Sequence, residues 1–360
     1  MKVAFVSFGF GEYCVRLASA LAREVEVCLL LPSQDVATYA YLLDQAIHVQ
    51  PFRKPRLRQP AQQMRMISSI VQGIRRFDPD VIHLQEGHFW FNLALPWLNR
   101  YPLVVTIHDP QSHSGDRESQ KTPQWLCDFG YRRGDRFIVH AKPLKEAVID
   151  RLCLPREAVH IVPMVVQGDD TAQAQVSEDE QLILFFGRIW AYKGLEYLIR
   201  AEPLITAQAP NMRIVIAGQG DEFAPYRRLM AHPDKFIVYN EYISDDQRAK
   251  LFRQASMVVL PYTEASQSGV IPVAYTFAKP VVATTVGGLP ELVEHGRTGY
   301  LVPPRDEKAL AAAIVRLLQD QELRRHMGAN GKRKIDTECA PQAVAQQTLA
   351  VYNQAVGDAP

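Results

Sequence analysis

The stretch "PYTEASQSGVIPVAY" (residues 261–275) sets one carboxylate, Glu264, ahead of small polar residues and a glycine, and then turns apolar. The segment "VIPVAYTFA" reads as a core helix, with Ser268 or Gly269 at its cap and Pro272 near the first turn, where proline is tolerated. A helix start exposes N–H groups and a partial positive charge, so the amides from Gly269 and Val270 are expected to suit an anion. Glu264 would then reach the hydroxyls of a sugar whose phosphate rests there; the plainer reading is a capping carboxylate with no ligand. A second constellation has matching chemistry: "GRIWAYKG" supplies Gly187, Arg188, Lys193 and Gly194. A glycine at a strand end lets a phosphate near the backbone, and a forked guanidinium and a compact ammonium five residues apart can clamp a diphosphate. Alone, that stretch is equally well a surface turn with solvated cations. "IAGQGDE" adds Gly218, Gln219 and Gly220, a loop type common to many α/β folds. After "VVTI" stand His108 and Asp109, then a polar run containing His113. A lone histidine is more often structural, yet the strand end and the polar run favour a functional His108. His83, at the end of "VIH", marks a loop near the same region.

The elements that must position these residues are short apolar runs alternating with amphipathic segments. "KVAFVSF", "VEVCLLL", "VIHLQ", "LVVTIHD" and "RFIVHA" read as buried strands in the first half; "LILFFGR", "MRIVIAG", "FIVYNEY", "MVVLPY" and "PVVATT" do so in the second. Apolar strands separated by helices such as "YCVRLASALA" imply parallel sheets covered on both faces. Two series imply an α/β chain of two Rossmann-like domains, joined in the polar segment 165–181. From about Ala309 onward the chain should be helical. Ligands of open parallel sheets bind beyond the carboxyl ends of the strands, where the candidate residues stand.

Composition narrows the class. The 360 residues suit two domains of roughly 150–180 residues, and 47% hydrophobic with 22% charged residues is ordinary for a globular core. A net charge of +1 argues against a general nucleic-acid binder. Cys14, Cys28, Cys127, Cys153 and Cys339 are scattered and without CxxC spacing, as expected of reduced thiols in a cytoplasmic protein. The start "MKVAFVSFGFGEY" is too short and too broken to be a signal peptide, and no apolar run is long enough to span a membrane. "GFGEYC" fails the GxGxxG pattern, which disfavours a simple NAD-binding protein. Between Gln45 and Phe77 there are seven basic residues and no acidic one. Two readings stay open for this 53–76 stretch: contact with an anionic lipid carrier or the inner membrane surface, or a solvated arginine-rich helix and loop.

Taken in order, "GR(x4)KG", "AGQG", "PY(x)E(A)SQSGV" and "KPVVAT(x)VGGLPELV(x)(x)G(x)TG(x)LVPP" resemble the nucleotide-sugar domain of family-4 glycosyltransferases. Members have the GT-B fold, two Rossmann-like domains facing each other across a cleft. The match covers nearly all of residues 182–304, and the first half agrees more loosely through "GFGEY", "DPDVIHLQ" and "TIHD". The resemblance implies an acceptor-binding domain over residues 1–168, a nucleotide-sugar domain over 169–340, and a C-terminal helix over 341–360 that packs back on the first. It implies that Arg188 and Lys193 contact the donor diphosphate, beside Gly187 and the Gly218–Gly220 loop. The backbone near Tyr242 and Ile243 would hold the base. Gly9 and Gly11 would let the first loop approach the donor, and His108 would face its sugar. It further implies retaining, metal-independent hexosyl transfer from a UDP- or GDP-sugar to a glycan or lipid-linked acceptor, with no cofactor besides the donor. In keeping, no DxD-like carboxylate pair follows a strand, so no metal site is expected.

One departure stands out. Many members carry two glutamates with seven residues between them; here the second slot holds Pro272 or Val273, so Glu264 has no acidic partner. "ASQSGV" resembles a variant of bacterial surface-polysaccharide transferases, in which Ser266, Gln267 and Ser268 would share the hydrogen bonding. The missing acid is also the one feature favouring a non-catalytic nucleotide-sugar binder or a partner subunit. An epimerase or a phosphorylase on the same fold fits less well, for want of the motif order or of a pyridoxal-phosphate lysine.

Overall fold

The computed structural model describes residues 1–85, 87–110, 123–168, 176–220 and 222–358. They fall into two compact units, which divide at Val165–Val166 and again at Thr337–Glu338; the chain after Glu338 belongs to the first.

The first unit carries seven strands: β1 (Lys2–Ser7), β2 (Glu26–Pro32), β3 (His48–Phe52), β4 (Val81–Gln85), β5 (Leu103–Thr106), β6 (Arg136–Val139) and β7 (Val159–Ile161). All pair in parallel, in the order β3-β2-β1-β4-β5-β6-β7. Its helices are α1 (Gly11–Leu21), α2 (Ser33–Thr38), α3 (Pro60–Phe77), α4 (Phe89–Asn92), α5 (Gln124–Tyr131) and α6 (Lys142–Leu152). Alternate residues of one strand feed opposite faces: Ala4 and Val6 pack with Ile67, Ile70 and Ile74 of α3, whereas Val3 and Phe5 pack with Leu17 of α1. Each fully buried Val, Leu, Ile or Phe side chain among them contributes roughly 1.5–3 kcal/mol relative to exposure. Helix α3 shows the local logic: Pro60 starts it, Met66, Ile67, Ile70, Val71 and Ile74 recur on its buried side, and Asp78 ends it in the left-handed region.

The second unit carries β8 (Leu182–Phe186), β9 (Arg213–Ala217), β10 (Phe236–Tyr239), β11 (Met257–Leu260), β12 (Val281–Thr284) and β13 (Gly299–Val302). These are again parallel, in the order β10-β9-β8-β11-β12-β13. Around it run α7 (Leu195–Thr206), α8 (Ala224–Arg227), α9 (Asp245–Gln254), α10 (Val270–Thr276), α11 (Leu289–Leu292), α12 (Glu307–Gln319) and α13 (Gln321–Glu338). The last helix, α14 (Pro341–Gly357), lays Val344, Ala345, Val351 and Tyr352 into the core of the first unit, beside α1. Every strand expected from the sequence is present. Strands β3, β7 and β13 are additional; all three are sheet edges, and β3 contains Pro51, which only an edge tolerates.

Candidate functional site

Each sheet reverses strand order once, between β1 and β4 in the first unit and between β8 and β11 in the second. Loops beyond the carboxyl ends of such a pair form a ready ligand crevice. In the second unit these are the loops holding Gly187–Gly194 and Pro261–Gly269, the two constellations singled out by their chemistry. They are stitched together: Thr263 N donates to Tyr192 O at 2.8 Å, and a Cβ on Gly187 would lie 3.7 Å from Val270.

The cations in these loops rest on aromatic rings. The Arg188 guanidinium carbon lies 4.0 Å from the Trp190 ring centroid, and Arg188 is exposed. Lys193 Nζ lies 3.9 Å from the Tyr262 centroid and 4.9 Å from that of Tyr192. Tyr262 is fully buried, and burial pushes its phenol up to about 12, while a hydrogen bond with Ser268 and the charge of Arg188 pull the other way. Arg188 and Lys193 thus stand in one loop, with Lys193 on the Tyr262 ring and the charge of Arg188 felt by the same phenol. A cation–π contact fixes a cation without cancelling its charge. The Tyr262 backbone is held by Thr284 Oγ1, which donates to its carbonyl oxygen at 2.6 Å, and the Tyr262 hydroxyl stands 3.5 Å from Ser268 Oγ.

The segment leading into α10 is braced on the other side by Gly288 N, which donates to Ser266 O at 3.0 Å. Ser266 and Ser268 are buried, Gln267 and Gly269 half-buried, and Glu264 is exposed at the head of the loop. Gly269 is the N-cap residue, as expected, but Ser268 Oγ already accepts from Val270 N at 3.3 Å. That amide is thus engaged, and α10 is only seven residues long, so the anion-attracting part of this site is carried by its two cations more than by a helix end. Pro272 and Val273 are buried within α10; the slot of the second carboxylate belongs to the core.

The glycine loops do different work. Gly218 has φ +147°, and a Cβ there would stand 2.0 Å from Gly187 O. Gly187 N donates to Ala217 O at 2.9 Å, Ile189 N to Gln219 O at 3.0 Å, and Ile189 and Gly220 form an isolated bridge. These residues fit the two loops to each other, and of them only Gln219 is exposed. Tyr242 is 76% exposed and Ile243 half-buried, in the loop after β10, whose Asn240 Oδ1 accepts from Gly220 N at 3.0 Å.

In the first unit, the loops after β1 and β5 meet at His108. Its ring is 1% exposed, stacked under Phe10 at 4.1 Å between centroids, and 4.9 Å from His140. Gln85, the last residue of β4, donates through Nε2 to His108 Nε2, leaving the ring proton on Nδ1. Burial first, and then the neighbouring His140, hold its pKa well below the usual histidine range, against the opposing pull of Asp109. His108 is a neutral, covered hydrogen-bonding group, not an exposed one as its strand-end position suggests. Phe10, the residue that covers it, has φ 56°, a strained conformation for an aromatic residue of the kind that clusters at functional sites. Of the flanking glycines, a Cβ on Gly9 would meet nothing within 4 Å, whereas one on Gly11 would stand 2.8 Å from Asp35 Cβ and 2.9 Å from the Tyr39 ring. Gly11 thus lets α1 pack on α2. His83 has a structural place, with Nδ1 2.6 Å from Tyr352 Oη, Nε2 2.7 Å from Thr106 Oγ1, and burial lowering it to about 3. His113 lies outside the described residues. Despite this gathering of imidazoles, no three His, Cys, Asp or Glu side chains among the described residues are placed to hold a metal ion. Gln85, Phe10, His140 and Tyr262 escape a reading by sequence, because each matters through contacts made across the fold.

Two family models match, "Glycosyltransferase Family 4" over residues 9–167 and "Glycosyl transferases group 1" over residues 180–320. An uncharacterised glycosyltransferase of Methanocaldococcus jannaschii is 27% identical over 99% of each chain. The D-inositol 3-phosphate glycosyltransferase of Geodermatophilus obscurus is 28% identical over 82% of this chain and 74% of its own. Among solved structures, the sucrose-phosphate synthase of Thermosynechococcus elongatus is similar with a TM-score of 0.74 at 20% identity, over 98% of both chains. Anabaena HepE, solved in complex with UDP, has a TM-score of 0.72 at 19% identity, over 98% of this chain and all of its own. The chain belongs to the family-4 glycosyltransferases and has the GT-B fold. It is a glycosyltransferase, in agreement with the enzyme reading of the sequence.

Proposed function

We propose that the protein transfers a hexosyl group from a UDP- or GDP-linked sugar to a glycan or lipid-linked acceptor, with retention at the anomeric carbon and without a metal ion or other cofactor. The observation that carries this reading is the pair of cations, Arg188 over Trp190 and Lys193 over Tyr262, held at the strand-order switch of the second sheet. Two fixed cations there would stabilise the negative charge that develops on a departing diphosphate. The bond between the anomeric carbon and the diphosphate oxygen breaks with its electron pair on that oxygen. The acceptor hydroxyl forms the new bond from the same face, and its proton passes to a phosphate oxygen. Glu264, exposed beside the cations, would accept hydrogen bonds from sugar hydroxyls. Ser266, Gln267 and Ser268 would order the loop. The backbone near Tyr242 and Ile243, beyond β10, would hold the base, and His108 would serve the sugar as a neutral hydrogen-bond donor once the Phe10 ring that covers it swings aside. The UDP held by HepE, a protein of the same fold, supports a uridine donor.

The seven basic residues of 53–76 support a further part of the reading, peripheral contact with an anionic membrane surface. Arg65, Arg75 and Arg76 are exposed along α3, with Met64 47% and Trp97 55% exposed close by. A thermal-shift comparison of UDP, GDP and ADP with their sugars tests the donor. UDP or GDP is expected to raise the midpoint, by a shift that grows with the logarithm of its affinity. No shift with any of them would sink the proposal.

A further inference from the structure

A cavity of about 680 Å³ lies in the first unit, far in sequence from the cations at 188 and 193. Its lining comes from the carboxyl ends of three neighbouring strands: Phe8 and Gly9 after β1, Pro32 to Asp35 at the end of β2, and Phe52 to Lys54 at the end of β3. That is the edge where an open parallel sheet binds its ligands, and the volume suits a molecule of one or two sugar rings. Two of its walls are aromatic: Phe8 packs on Phe52 at 5.2 Å between centroids. Its polar groups are Ser33, Gln34, Asp35, Arg53 and Lys54.

Resting on the transferase reading above, we propose that this cavity is the acceptor subsite, and that it takes a small hydroxylated acceptor carrying a phosphate or carboxylate group. Arg53 and Lys54 face one carboxylate, so the cavity is net positive, and a guanidinium next to an ammonium offers both forked and point-charge contacts to an anion. Lys54 is held in place by its hydrogen bond to Phe8 O at 2.5 Å. Asp35 interacts with Lys54 and is partly shielded from water, and burial raises its pKa. Phe8 also stacks on His88 at 4.2 Å between centroids. His88 is 6% exposed, both its ring nitrogens lack a partner among the described residues, and burial, then Lys54, lower it to about 4. It therefore adds no third cation near neutral pH. Hydroxyl contacts would come from Ser33, Gln34 and Asp35, and a sugar ring would lie along Phe8 and Phe52.

Calorimetric titration of the full chain with inorganic phosphate, glucose 6-phosphate, glucuronate and glucose reads this out. At millimolar concentration glucose 6-phosphate or glucuronate is expected to bind saturably, phosphate more weakly, and glucose least. Which of the two sugar anions binds better separates a phosphate acceptor from a carboxylate one. Two substitutions should act in opposite directions. Lys54→Gln should weaken the preferred anion by about tenfold, the loss of one charge-assisted contact. Asp35→Asn should tighten it severalfold by removing a like charge, a gain that misfolding cannot produce. Absence of saturable binding by every anionic probe overturns the inference, and so do shifts in the same direction or no change in either variant. UDP and GDP titrated into the wild-type chain keep the two proposals apart: binding of either nucleotide without anion binding sinks only this one. Failure of both nucleotides with anion binding intact sinks only the donor reading.

Discussion

Arg188 and Lys193 each lie over an aromatic face, Trp190 and Tyr262, and that placement decides what replacing them should do. Neither side chain belongs to a core, so truncation removes charge and little packing. Arg188→Ala or Lys193→Ala is expected to lower transfer by about 100- to 1000-fold, the range for losing one donor to a developing oxyanion, with an unchanged thermal midpoint. Near-normal transfer by both variants would refute the role. These two cations stand out in the sequence because a strand, a glycine and a fixed interval precede them. Tyr262 does not, since its importance comes from a lysine sixty-nine residues earlier that folding brings against its ring. The same limit applies to His108: its strand-end position is legible, and the Phe10 ring that covers it is not, because that contact depends on a positive φ at Phe10. The glycines of "AGQG" show the converse. The sequence suggests ligand contact, while Gly218 is needed because Gly187 O comes too close for any side chain.

At the scale of elements, the first unit packs neutral histidines along β4, β5 and β6. Burial is the leading cause that lowers His83 to about 3, His140 to about 4 and His88 to about 4, and it holds His108 well below the usual range. In the unfolded chain these groups titrate near about 6.5, so the unfolded state takes up protons first as pH falls. Stability is therefore expected to be full above about pH 6.5 and to decline as pH falls towards about 4. Urea midpoints measured across that window check this; a flat midpoint would contradict it. The strands that carry these residues are legible as apolar runs. Strand β3 is not, because its five residues include Pro51 and only Phe52 is buried. Strand β7 has three residues, too few for a periodic pattern.

For the whole molecule, the near balance of charge in the sequence conceals the acid-free stretch between Gln45 and Phe77. Folding puts Met66, Ile67 and Ile70 inside and leaves Arg65, Arg75 and Arg76 in solvent. If this face meets anionic lipid, each arginine contributes on the order of 1 kcal/mol near the surface. The protein should then float with vesicles containing phosphatidylglycerol at low salt and detach as salt rises, and Arg65→Glu with Arg76→Glu should abolish flotation. Absence of salt-sensitive flotation would leave α3 as a solvated basic helix. The amphipathic pattern is legible in the sequence; whether lipid or water faces it is a property of the surroundings, which no pattern encodes.

Helix α14 has a consequence for how the chain is made. Its Val344, Ala345 and Tyr352 fill a groove between α1 and the strands around β4, and Tyr352 is bonded to His83 in the middle of the sheet. Everything in the second unit leaves the ribosome before those residues do. The N-terminal half of a nascent chain must therefore wait, with an oily furrow uncovered, until synthesis has passed residue 352.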